Sequence, residues 1–191
     1  MYQRKQSMWF PMRIVYGRDE RMLRLKQQLD DVGVENFLPL RYRYRKTEEW
    51  DVEKKLVPAI HGLIFVYSTQ ERLTELKMTH REFEPMHYMT NLFAESPRDS
   101  ILTVPVSQMQ NFMRVASVQD DRFVYLDNMD FVAKPGKKVR ITDGDFKGVE
   151  GVIKRIKKNK CVVVQIEGIA AVALTFVPSA WLESVDECVP R

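Results

Sequence analysis

The chain has 191 residues, 45% of them hydrophobic, a formal net charge of +4 and an isoelectric point near 9.0. That apolar content suffices for packed cores in one large or two small domains and excludes a disordered chain, while the mildly basic balance is compatible with a polyanionic partner without demonstrating one. Residues up to Met12 lack the apolar core of a signal peptide and no run approaches the ~20 apolar residues of a membrane helix, so a soluble cytoplasmic protein without a membrane partner is expected.

Trp9 to Tyr16 reads as a strand with an irregular start at Pro11 and a stop at Gly17. From Asp19, Met22, Leu25, Leu29 and Val32 recur at three- and four-residue steps before Gly33, the pattern of an amphipathic helix packed on a sheet. Val34 to Lys46 begins apolar and then alternates Arg41, Tyr42, Arg43, Tyr44 and Arg45, which on a strand puts arginines on one face and tyrosines on the other. Thr47 to Lys55 reads as a hairpin loop, and Leu56 to Tyr67 as one long apolar strand with a bulge or edge at Pro58 and Gly62. Gln70 to Lys77 is a short helix, Tyr88 to Leu92 and Ile101 to Val104 are strands, and Pro105 to Ala116 is a helix with Pro105 near its start. The order is β-α-β-β-α-β, and Ser117 to Ala133 is read as the segment that completes this first domain and links it to a second.

In the second domain Val139 and Ile141 alternate with Arg140 and Thr142, and Asp143-Gly144 is a strong turn dipeptide. Gly148 and Gly151 interrupt the next strand, which resumes at Val152, Ile153 and Ile156. A polar turn from Lys157 to Lys160 then precedes the β-branched run Cys161 to Ile166, and Ala171 to Val177 closes a five-strand unit.

The spacing of Gly136, Val139, Asp143, Gly144, Phe146, Gly148 and Gly151 resembles the KOW motif of SH3-like barrels in transcription and ribosomal proteins. The stretches W-F-P-M-R-I-V-Y-G-R-D-E, E-N-F-L-P-L and V-P-A-I-H-G-L-I-F-V are similar to the N-terminal domain of the NusG family. The fold class implied is α+β: an N-terminal antiparallel sheet with helices over residues 1–116, domain completion and linker over 117–133, a small all-β KOW barrel over 134–185, and a tail over 186–191.

The resemblance implies a transcription elongation or antitermination factor. Its first domain binds the clamp of RNA polymerase through an apolar patch that maps onto Trp9, Ile60, Leu63 and Phe65, and its KOW domain recruits a ribosomal protein or a termination factor. The usual P-G-Y-V-F-V is here H-G-L-I-F-V, so His61 replaces a proline and Leu63 an aromatic residue. This departure inclines the reading toward a specialised paralog of the RfaH type acting at capsular or surface-polysaccharide operons. A general elongation factor and a ribosome-associated RNA-binding KOW protein stay open beside it.

Arg41, Arg43, Arg45 and Lys46, interleaved with tyrosines, have the make-up of a surface for non-template DNA or nascent RNA, with His80 and Arg81 as weaker candidates. The plainer alternative is a solvated strand face with its tyrosines packed inward. Phe146 is either barrel packing or an anchor for the KOW partner, and Trp181 a cover for the barrel base. Asp143 and Asp145 occupy turn positions with no converging nucleophile or base, so no enzyme is expected. Cys161, Cys188 and three scattered histidines offer no metal-ligand spacing, and no cofactor is expected.

Overall fold

The computed structural model describes residues 6–15, 17–46, 52–91, 94, 100–118, 123–126, 136–156 and 158–185. The chain forms two compact units that divide between Met109 and Gln110, the first mixed α and β, the second all-β beyond the end of its leading helix.

The first unit opens with β1 (Met8–Ile14), α1 (Asp19–Asp31), β2 (Asn36–Phe37), β3 (Leu40–Lys46), β4 (Val52–Pro58) and β5 (Leu63–Ser68). It continues with α2 (Gln70–Thr79) and β6 (Met86–Tyr88), and α3 (Val106–Ala116) runs across the division. An antiparallel sheet in the order β2-β5-β1-β6 carries α1 on one face: Phe10, Met12, Ile14, Ile64 and Val66 project from β1 and β5 onto Met22, Leu25 and Leu29. Burying each of these aliphatic side chains contributes about 1.5–3 kcal/mol, so the stripe that the three- and four-residue spacing revealed is what fixes α1 to the sheet. Asp19 and Glu20 in the first turn oppose the positive end of the helix dipole. In α2 the Thr69 hydroxyl caps the helix by accepting from the Arg72 amide at 3.2 Å.

Three readings of this unit need correction. Leu56 to Tyr67 is not one strand: β4 ends at Pro58, a turn follows, and β5 starts at Leu63 in a different sheet. Proline ends the ladder on one side and Gly62, at φ +65°, turns the backbone on the other, but an unbroken apolar run hides such a corner from periodicity. The predicted hairpin loop is shorter than Thr47 to Lys55, because Val52–Pro58 is already β4 and pairs along the whole length of β3. The strand predicted from Tyr88 ends there, and Ile101 and Val104 make only single bridges, to Thr90 and Trp9.

The second unit pairs β7 (Phe123–Leu126), β8 (Lys138–Ile141), β9 (Glu150–Ile156), β10 (Asn159–Ile166), β11 (Ala170–Thr175) and β12 (Leu182–Ser184) in the antiparallel order β12-β8-β9-β10-β11-β7. The central strands β10 and β11 are buried on both faces, which is why they read as continuous β-branched and small residues rather than an alternation. Cys161, Val163, Ala171 and Ala173 cluster on one side with Leu126 and Ile156, while Val162, Val164, Val172 and Leu174 are buried on the other. A side chain at Gly151 would meet Val162 Cγ1 at 2.7 Å and the Val163 carbonyl at 2.8 Å, so this glycine lets the β9 backbone close on β10.

Part of the segment expected to complete the first domain belongs elsewhere. Phe123–Leu126 pairs with β11 in the second sheet, from Phe123 opposite Leu174 to Leu126 opposite Ala171. A four-residue strand amid polar residues carries too little pattern to reveal its partner. The tail over 186–191 lies outside the described residues.

Candidate partner-binding surfaces

Strand alternation places Trp9, Leu63 and Phe65 on the sheet face opposite α1, because their neighbours Phe10, Ile64 and Val66 all point into the α1 core. The Trp9 ring packs on Tyr67 at 5.3 Å, and Ile60 sits in the turn before β5. All four residues of the predicted patch are buried: Trp9 is 4% exposed, Ile60 9%, Leu63 1% and Phe65 0%. Hydrophobicity at these positions records burial as readily as an interface. His61, at the tip of the same turn, is exposed, and its carbonyl accepts from the Arg13 guanidinium at 3.1 Å.

The β3–β4 ribbon sorts its side chains by face. Cross-strand partners place Arg41, Arg43 and Arg45 with Val57, Lys55 and Glu53, and place Tyr42 and Tyr44 with Leu56 and Lys54. The arginine face lies toward the start of α1, where Arg43 Nη1 meets Asp19 Oδ2 at 2.7 Å and Lys55 Nζ lies 3.8 Å from Glu20 Oε1. These groups line an open groove together with Arg18, Arg45, Glu53 and Val57. On the other face Lys54 Nζ sits 3.7 Å from the Tyr42 ring centre and 5.8 Å from that of Tyr44, which is 49% exposed. The tyrosines are thus not packed inward; Tyr44 and a lysine present a partly exposed stacking surface. Arg41 and Arg45 are exposed, whereas Arg43 is tied to Asp19.

The structure does not draw His80 and Arg81 into this ribbon. They lie just past α2, where the His80 ring packs at a tilt of 57° against Phe83, 5.8 Å between centres, and its Nδ1 lies 3.5 Å from Glu82 Oε1. Lys46 belongs to β3, with its side chain outside the described set.

Phe146 is half-buried in the loop between β8 and β9 and meets Phe123 edge-on at 5.6 Å. The two rings line a cleft of about 210 Å³ with Phe176, Pro178 and Trp181, and Asp143 and Asp145 stand at its rim. Trp181 lies directly over Gly144, at φ +78°, where an added Cβ would come within 2.7 Å of the indole. Arg114 braces the loop from α3, donating from Nη1 to the Lys147 carbonyl at 2.6 Å and from Nη2 to the Asp145 carbonyl at 3.2 Å. Sequence reasoning finds Phe146 and Trp181 but misses Phe123, Phe176 and Arg114. Phe176 is hidden inside the apolar run of the expected closing strand, and no local pattern predicts that Phe123 and Phe146 meet.

Among the described residues there is no cluster of three or more His, Cys, Asp or Glu able to hold a metal, and no helix is long and apolar enough to cross a membrane. Burial raises the Cys161 thiol above its ordinary pKa, opposed by a backbone hydrogen bond from Ile156, which leaves an inert core thiol rather than a nucleophile.

No curated protein matches the chain. A solved structure described as "Domain interaction in Thermotoga maritima NusG" is similar at 16% identity with a TM-score of 0.45, over 95% of this chain and 98% of that one. The family model described as the KOW motif matches residues 135–167, so β8, β9, β10 and the loop that carries Phe146 all lie within a KOW motif.

Proposed function

We propose that this chain is a NusG-type transcription factor. Its N-terminal unit engages RNA polymerase at the clamp, and its KOW-bearing unit recruits a second partner. The observation that carries the reading is the KOW motif over 135–167, following in sequence an α+β unit whose W-F-P and L-I-F-V stretches lie on adjacent antiparallel strands of one sheet. In this reading Trp9, Ile60, Leu63 and Phe65 form the polymerase-binding face, and because all four are buried, engagement requires that face to be uncovered. Arg41, Arg45 and Tyr44, with Arg43 and Lys46 beside them, contact the displaced non-template strand or nascent RNA; His80 and Arg81 would form a separate contact. The finer role is suppression of pausing or termination at capsular or surface-polysaccharide operons, in the cytoplasm.

The test places a photocrosslinking residue at exposed His61, beside the buried face, and at Met78, which is 82% exposed on α2. Crosslinking to the largest polymerase subunit from position 61 and not from 78 is the expected result. In transcription with purified polymerase, the factor should then raise read-through on a polysaccharide-operon leader more than on an unrelated one.

The burial of the patch favours a second reading, in which the residues are core and the chain is a ribosome-associated RNA-binding KOW protein. Recovery of ribosomal particles without polymerase would select it. Crosslinking to polymerase with equal read-through on both leaders would select a general elongation factor.

A further inference from the structure

The cleft in the second unit brings together chemistry that the KOW motif alone does not specify. Four aromatic side chains, from Phe123, Phe146, Phe176 and Trp181, converge with Pro178 on a space of about 210 Å³, the size for one side chain and not for a folded surface. Phe176 is 79% exposed and holds φ at +67°. A left-handed backbone is unfavourable for a non-glycine residue, and an aromatic kept there in solvent is a conformation that surrounding structure imposes and that recurs at ligand clamps. The opposite wall is preorganised: the Thr142 amide donates to the Trp181 carbonyl at 2.8 Å, and the Trp181 ring lies on Gly144.

The rim sets the sign of the ligand. Asp143 and Asp145 are both exposed, and among the described residues neither carboxylate forms an ion pair. The Asp143 side chain accepts from the Gly144 amide at 2.8 Å, which fixes its position. Arg114 is engaged by the backbone carbonyls of Asp145 and Lys147 and leaves the carboxylates to solvent. Aromatic faces bounded by carboxylates attract a cation through the ring quadrupole and through charge, and a planar guanidinium satisfies both at once by stacking flat while donating in plane. The same carboxylates repel a phosphate backbone, which weighs against a nucleic-acid base as the occupant.

We propose that this cleft binds an arginine side chain presented by an extended, basic segment of a partner protein. The proposal rests on the reading of Phe146 as a partner contact and names what that contact recognises.

The test uses the full-length protein labelled with nitrogen-15, observed at the indole N–H of Trp181 and the amide of Gly144. Three probes are titrated: acetyl-glycyl-arginyl-glycine amide, the same peptide with citrulline in place of arginine, and a short oligouridylate. The arginine peptide should shift both resonances and bind at least about threefold more tightly than the citrulline peptide, which keeps the shape and loses the charge. An Asp143→Asn, Asp145→Asn double variant, which preserves the loop hydrogen bond, should abolish that preference. Equal binding of the two peptides overturns the cation while leaving Phe146 as an apolar contact. No shift with either peptide overturns the cleft as a docking site altogether. Stronger binding of oligouridylate at these resonances overturns it in favour of nucleic acid.

Discussion

Gly144 shows how tightly single positions are set. Its positive φ strains any side chain placed there, and the Trp181 ring stands 2.7 Å from where a Cβ would lie. Gly144→Ala should therefore cost about 1–3 kcal/mol, the combined effect of a strained dihedral and an overpacked contact. A urea titration of the variant would check this, with the midpoint lowered and the slope unchanged. Sequence alone makes this glycine legible as a turn residue, because Asp-Gly is a local signal. Its second task, seating a tryptophan from far along the chain, is not legible, since nothing near position 144 encodes that neighbour.

At the scale of elements, the amphipathic helices are the most readable. α1, α2 and α3 begin or end within a residue or two of their sequence-derived bounds; in α1 and α3 a stripe of buried positions every three or four residues has no competing explanation, whereas α2 buries only Leu73 and is marked by its Thr69 cap. The apolar strand pair is the least readable, since β4 and β5 run together with only Pro58 and Gly62 to mark the change of sheet. The β3–β4 ribbon lies between these cases: the alternation of arginine and tyrosine is plain, but the pairing of Arg43 with Asp19 depends on where α1 starts. Arg41 and Arg45 are exposed and, unlike Arg43, make no ion pair among the described residues, so they can be removed without unfolding the ribbon. If these two arginines neutralise phosphates, an Arg41→Ala, Arg45→Ala variant should bind single-stranded DNA more weakly. Its plot of log affinity against log salt should also be shallower, by about 0.7 for each phosphate left without its arginine and so by about 1.4 in all. Fluorescence anisotropy at several salt concentrations reads this directly, and an unchanged slope assigns the arginines to solubility alone.

For the whole molecule, division into an α+β unit and an all-β unit follows from the switch of period along the sequence, whereas the placement of β7 does not. β7 covers the outer edge of β11, where Phe123, Tyr125 and Leu126 are partly buried. Fragments spanning residues 117–191 and 132–191 should both give β-type circular dichroism, because β8 to β12 are rich in β-branched residues and pair with one another. The longer fragment should melt several degrees higher, by roughly 4–8 °C for each kcal/mol that β7 contributes in a unit of this size. A helical spectrum from either fragment would refute the all-β assignment. The position of β7 also bears on synthesis. This strand is made well before β11, so a growing chain carries a short apolar segment whose hydrogen-bonding partner has not yet left the ribosome. Pairing over such a sequence separation is slow compared with closing the local hairpins of β8 to β11. β7 should therefore dock last, and mutations within it should accelerate unfolding while leaving the rate of folding almost unchanged.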